Sequence, residues 1–248
     1  MPREQQSLAG LRSKENCGIC GNPLTYAVEP VSMDCVFCAE RHSALIYCPE
    51  GHYICDSCHQ LEAIDALRHL VESTKSSDPL EILESVMSHP AVPMHGPEHH
   101  AMVPAAIVAA VRNAGYPVPD GAVEEALSRG AKVPGGWCGF YGACGGALGV
   151  GIAVSVLNRA TPLTGKERSL ANEATAFALS KMLDGHPRCC KRASRNGVKA
   201  AVEFLRERMG IALTVGQPLQ CQYYERNREC PKAGCYYYTV GQTAVGQE

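Results

Sequence analysis

The chain has 248 residues, 46% of them hydrophobic, and a formal net charge of −2, which suits a soluble protein built on one large core or two smaller domains. So small a charge excludes a global field that would draw the chain to nucleic acid or to an anionic membrane. The opening MPREQQSLAG lacks the apolar run of a secretory signal, and the longest apolar stretches, 101–111 and 147–157, are too short to span a bilayer, so a cytoplasmic location without membrane contact is expected.

Fourteen cysteines stand out, seven between Cys17 and Cys58 and seven between Cys138 and Cys235. In a reducing compartment, C-x-x-C pairs are read as metal ligands or redox centres before structural disulfides. The split predicts two domains: a zinc-binding module over 1–60, and a helical domain over 61–248 with a second cysteine cluster and a Cys/Tyr-rich tail. The fold class expected is mainly α, a helical bundle-like body with a small zinc-stabilised module at its N-terminus.

From Cys17 to Cys58 no helical period appears, and the segment cannot bury enough apolar area to hold itself together without a cross-link. Its ligand pairs are Cys17 and Cys20, Cys35 and Cys38, Cys48 and His52, and Cys55 and Cys58. Eight ligands serve two tetrahedral zinc ions, and a two-residue gap lets both thiolates of a pair turn toward one ion. The pairs can be used in sequence, or interleaved as in the RING and FYVE fingers that this spacing resembles. His42 and His59 are spare ligands, which makes His52 the least secure of the eight.

Helical spacing of Leu61, Ile64, Leu67, Leu70 and Val71 predicts a helix ending near Glu72. Ser77 or Asp78 caps the next, with Pro79 in its first turn and His89-Pro90 as its stop. A third is expected from Pro97 to Asn113, bent or interrupted at Pro104. Helices over 120–129, 147–157, 166–183 and 190–209 complete the body, with no alternating strand series.

The stretch SHPAVPMHGPEHHAMVPA carries His89, His95, His99 and His100, four imidazoles in twelve residues. Near a helix start a neutral imidazole is favoured, able to ligate a metal or hydrogen-bond an anion. The spacing is not the H-E-x-x-H of zinc proteases. His95, His99, His100 and Cys144 are the candidates for catalytic roles.

In GGWCGFYGACGGALGVG, residues 135–151, eight of seventeen positions are glycine and two are Cys138 and Cys144. Neither a dinucleotide G-x-G-x-x-G after a strand nor a phosphate loop is present, so the glycines are read as making room for a cofactor or substrate that the thiols touch. Cys189 and Cys190 open a helix whose dipole favours thiolate, and Cys221, Cys230 and Cys235 follow among tyrosines. Cys138, Cys144, Cys189, Cys190, Cys221, Cys230 and Cys235 are therefore the cofactor-binding candidates, enough for a [4Fe–4S] cluster on four of them with thiols to spare.

The segments CPEGHYICDSC, MHGPEHH, CGFYGACGGALGVG, HPRCCKR and the Cys/Tyr tail together resemble an uncharacterised, cysteine-rich domain-of-unknown-function family of anaerobic bacteria and archaea, over most of the chain from Cys17 to Tyr238. A further likeness is to the C-GCAxxG-C-C redox proteins, with the GCAxxG core not reproduced. The first resemblance implies anaerobic metabolism and a partner enzyme, a methyltransferase or a radical enzyme. The function expected is a metal-binding redox or sulfur-chemistry protein, zinc-stapled at its N-terminus, with an iron–sulfur site in the helical domain. The alternative is an all-zinc adaptor that docks a partner protein or nucleic acid through a basic stripe of Arg188, Lys191, Arg192, Arg195 and Lys199, four of which, 188, 192, 195 and 199, follow helical spacing.

Overall fold

The computed structural model describes residues 17, 19–20, 22–55, 58, 62–216 and 220–238, and among them it builds eight helices and two strands. The chain divides into two units, Met1–Gln60 and Leu61–Glu248.

The first unit is organised by an antiparallel hairpin, β1 (Thr25–Asp34) and β2 (Arg41–Tyr47). No regular alternation marks these strands because the register slips between Tyr26 and Val31. Pro30, which has no N–H for a ladder, falls inside that bulge. Regular pairing resumes from Val31 opposite Ala44 to Asp34 opposite Arg41, where the carboxylate accepts from the guanidinium at 2.8 Å. Apart from cysteines, Phe37 and Ala44 are the buried apolar side chains among the described residues of this unit.

The second unit contains α1 (Ala63–Ser73), α2 (Pro79–Met87), α3 (Glu98–Asn113), α4 (Ala122–Ala131), the single turn α5 (Trp137–Phe140), α6 (Gly145–Leu157), α7 (Gly165–Ser180) and α8 (Cys190–Met209). Local chemistry sets several of the ends. Asp78 caps α2, its Oδ1 accepting from the amides of Leu80 and Glu81 at 2.8 and 3.2 Å, with Pro79 in the first turn. Gly210, at φ +66°, closes α8 in the left-handed conformation that glycine adopts without strain.

Helix α3 is the hub. Every residue from His99 to Val111 is buried, as expected of a helix apolar on all sides, and it packs on α1, α2, α4, α6 and α8. It runs through Pro104 without interruption. Proline removes the amide that would have bonded the His100 carbonyl, and the bare backbone of Gly130 in α4 covers that carbonyl instead. A Cβ at Gly130 would come within 2.5 Å of His100 O and 2.6 Å of Ala101 Cα.

Helix α6 shows what most of the glycine-rich segment is for. A Cβ on Gly149 would meet Val103 and Pro104 of α3 at 2.9 Å, and one on Gly146 would meet Ala193 O of α8 at 2.9 Å. From the other side, a Cβ on Gly197 would meet Gly146 O at 2.8 Å. Gly149 and Gly197 thus admit neighbouring helices, and Gly146 lets α6 meet α8 while also lining, with Gly139 and Gly145, the open space at the start of α6. Among the described residues, no helix is long and apolar enough to cross a membrane.

Candidate metal centres

The hairpin decides how the N-terminal ligands combine. Cys17 and Cys20 precede β1, Cys35 and Cys38 occupy the turn between the strands, and Cys48 and His52 follow β2. A seven-residue strand at about 3.3 Å per residue puts roughly 20 Å between the turn and the open end, so consecutive pairs cannot share an ion. The ligands are interleaved accordingly: the donor atoms of Cys17, Cys20, Cys48 and His52 lie within 4.8 Å of one another, and so do those of Cys35, Cys38, Cys55 and Cys58. Each tetrad can hold a metal ion.

Within the first tetrad, Cys17 Sγ lies 3.8 Å from His52 Nδ1 and Cys20 Sγ 3.5 Å from Cys48 Sγ, so His52 takes the histidine place. His42 instead groups with Cys38 and Glu40, and His59 lies outside the described residues. The electrostatics of the second tetrad call for a cation. Burial works upward on Cys35, and the amides of Cys55, Cys38 and Phe37 outweigh it to bring the thiol down to about 7. Burial and the neighbouring sulfurs then push Cys38 up to about 11 and Cys58 higher still. One thiolate forms readily and its neighbours do not, until a bound cation removes the repulsion.

In the helical unit the seven remaining thiols fall into two sets. Cys189, Cys221, Cys230 and Cys235 line one narrow pocket with Arg192, Arg195, Tyr223, Tyr224 and Tyr237. Three of the four sulfurs accept a backbone N–H at 3.4 Å: Cys189 from Arg192, Cys221 from Tyr223 and Cys230 from Lys232. Among the described residues this set is not one whose donors all lie within 4.8 Å; its sulfurs stand wider apart than those of the N-terminal tetrads.

The second set lines a cavity of about 300 Å³ that opens beside the first turn of α8, where Cys138, Cys144 and Cys190 meet His99, His100, Gly139, Gly145, Met182 and Ser194. Cys189 borders both spaces, whereas Cys190 borders the second and not the first. Burial pushes the thiols of Cys144, Cys189 and Cys190 up. Opposing it are the Gly146 and Ala147 amides at the start of α6, the Arg192 amide at the start of α8, and the Gly96 amide respectively.

The histidines separate as well. His95 Nε2 bonds Asn227 Oδ1 at 3.2 Å and pins the tail rather than facing the cavity. His99 and His100 each direct Nδ1 at a backbone carbonyl, Gly96 O at 3.2 Å and Val133 O at 2.9 Å, which places a proton on Nδ1 of each ring. Burial, then the nearby Lys191, brings His99 down to about 3. His100 lies flat against the α-carbon of Gly145, where any side chain would collide with its ring. His89 is buried, its Nδ1 accepting from the Ala91 amide at 3.2 Å.

The basic stripe on α8 is not an open face. Arg195 is 1% exposed and pairs with Glu84 through both its Nε and Nη2, at 2.5 and 2.8 Å. Arg192 pairs with Asp184 at 2.6 Å. The tail lies across the same face: Tyr237 sits 5.0 Å from the Arg195 guanidinium and 4.7 Å from Lys199 Nζ, and Tyr223 lies under Lys191 at 4.7 Å. These cation–π contacts occupy the stripe with the chain's own tyrosines, leaving Arg188 exposed. Sequence spacing finds such a row of cations but cannot tell what covers it.

Residues 67–238 match a family described as of unknown function, DUF5714. The chain belongs to that family. The DUF5714 region takes in all seven thiols of the helical unit and leaves both N-terminal tetrads outside it. No curated protein and no solved structure matches the chain.

Proposed function

We propose that this protein is an iron–sulfur redox protein of oxygen-poor metabolism, with an electron-carrying cluster on Cys189, Cys221, Cys230 and Cys235 and two structural zinc ions in the N-terminal tetrads. The observation that carries this reading is the convergence of one thiol from the start of α8 with three from the tail, three of the four sulfurs already receiving a backbone N–H. Hydrogen bonds to sulfur, buried cations and aromatic shielding are what tune and protect such clusters. Arg192 and Arg195 supply the positive charge, and Tyr223, Tyr224 and Tyr237 line the pocket.

The spread of the sulfurs favours a cluster over a single ion. Tetrahedral zinc with bonds of about 2.3 Å draws its thiolates to roughly 4 Å of one another; the N-terminal tetrads, with all donors within 4.8 Å, come near that spacing and the tail set does not. A cluster places its own iron and sulfide between the thiolates and so accepts the wider set. The N-terminal donors, seven thiols and one imidazole, are the mixture that structural zinc takes.

Protein purified without oxygen is expected to carry iron and acid-labile sulfide, with visible absorption, alongside two zinc ions per chain, one in each tetrad. Replacing Cys221 and Cys235 together by alanine is expected to lower the iron and leave the zinc unchanged. Zinc in place of iron in the unaltered protein, or iron unchanged in the variant, overturns the assignment.

A further inference from the structure

The cavity on the Cys190 side is left over once the tail pocket has its four ligands. It is large, about 300 Å³, and three thiols reach it from three different places: Cys138 in α5, Cys144 as the N-terminal cap of α6, and Cys190 in the first turn of α8. Two helix N-termini therefore converge on one space, and amides of Gly146, Ala147 and Gly96 face the thiols of Cys144 and Cys190.

A second, independent observation points to a ligand here. Three side chains that line the cavity carry a buried polar atom with no partner among the described residues: His99 Nε2, Arg192 Nη1 and Ser194 Oγ. His99 and Ser194 are each 1% exposed and Arg192 7%. Because His99 Nδ1 gives its proton to Gly96 O, Nε2 is a lone pair, while the guanidinium N–H is a donor and the hydroxyl can serve either way. Buried groups of this kind are normally satisfied, and all three side chains border this cavity.

We propose that this cavity holds a second iron–sulfur cluster on Cys138, Cys144 and Cys190, with one iron free of protein thiolate and open to a small anionic ligand that enters the cavity. The inference rests on the iron–sulfur reading above and adds a place for substrate: the tail cluster, fully ligated, carries electrons, and the three-thiolate cluster meets the ligand. Cys189 and Cys190, adjacent in the chain, place the two centres side by side. Ser194 and His99 supply a hydroxyl and an acceptor for the ligand's polar atoms, and Arg192, paired with Asp184 on the same cavity wall, supplies an N–H donor.

The test uses full-length protein purified without oxygen, with iron counted per chain and the reduced protein examined by electron paramagnetic resonance before and after addition of cyanide as a small anionic probe. Cys138 is exposed, so Cys138→Ala is the variant least disturbing to the fold, and Cys190→Ala serves as a second, each checked by circular dichroism. Either is expected to halve the iron, Cys221→Ala to remove the other half, and cyanide to change the spectrum of wild type and Cys221→Ala only. Iron undiminished in both Cys138→Ala and Cys190→Ala overturns the second cluster, as does a cyanide response that survives in them. Iron lost only in Cys221→Ala sinks this inference alone. Iron lost only in the Cys138 and Cys190 variants sinks the tail assignment and leaves this one standing.

Discussion

Removing metal from the N-terminal tetrads is expected to unfold residues 17–58 while the helical unit keeps its circular dichroism. The hairpin has two strands, too few for independent stability in water. Its buried apolar side chains are Phe37, Ala44 and five cysteines, Cys17, Cys35, Cys48, Cys55 and Cys58, and those cysteines are themselves donors of the two tetrads. Little remains to hold the unit once the thiolates lose their cation. Structural zinc contributes apparent binding free energies of about 10–16 kcal/mol at neutral pH, nearly all of it expressed as folding. Cys48→Ala, at a fully buried position of the first tetrad, is expected to have the same effect on that end of the hairpin. Limited proteolysis with and without a chelator measures both: cleavage should begin inside 17–58 in the chelated protein and in Cys48→Ala, and a protease-resistant N-terminal unit without metal would contradict the account.

The second large effect is expected from Glu84→Ala. Its carboxylate accepts two hydrogen bonds from Arg195, whose side chain is 1% exposed and lies between Tyr223 and Tyr237. Glu84 holds the Arg195 guanidinium well above its ordinary value against the opposing effect of burial. Removing one partner of a buried pair leaves the other charge without compensation, at a cost of about 3–5 kcal/mol. Glu84→Gln keeps the shape and one acceptor and should lose less. Denaturant unfolding of the helical unit gives both values, and a loss below about 1 kcal/mol in Glu84→Ala would mean that the Cys221 sulfur, not Glu84, balances Arg195.

Much of the helical body was legible because its signals are local. Asp78 before Pro79 marks the start of α2 and Gly210 marks the end of α8, and the structure puts those boundaries at Pro79 and Met209. What was not legible depends on partners distant in sequence. Pro104 reads as a break until Gly130 is seen covering the carbonyl it strands. The glycines of α6 read as space for a cofactor until α3 and α8 are seen to fill most of it. The hairpin was hidden by the bulge around Pro30, and with it the interleaving of the ligand pairs, which follows from strand length rather than from cysteine spacing.

The same division holds for the sites. Eight N-terminal donors could be named from their pairs alone, since C-x-x-C is itself the local geometry of shared ligation. The seven later thiols carry no such spacing, and their sorting depends on helix geometry. Cys189 is the extended N-terminal cap of α8 and Cys190 its first helical residue, so Cys189 reaches the tail pocket and Cys190 only the cavity beside α8. His95, close in sequence to His99 and His100, goes with the tail because Asn227 reaches it.

X-ray absorption at the zinc and iron edges of the anaerobically purified protein tests the central claim most directly. The account expects zinc bound on average by mostly sulfur with a minor nitrogen share, as the seven thiols and His52 require, and iron surrounded by sulfur with further iron close behind it. Zinc alone, with no iron edge above background, would contradict it and leave the thiols of the helical unit without a cluster.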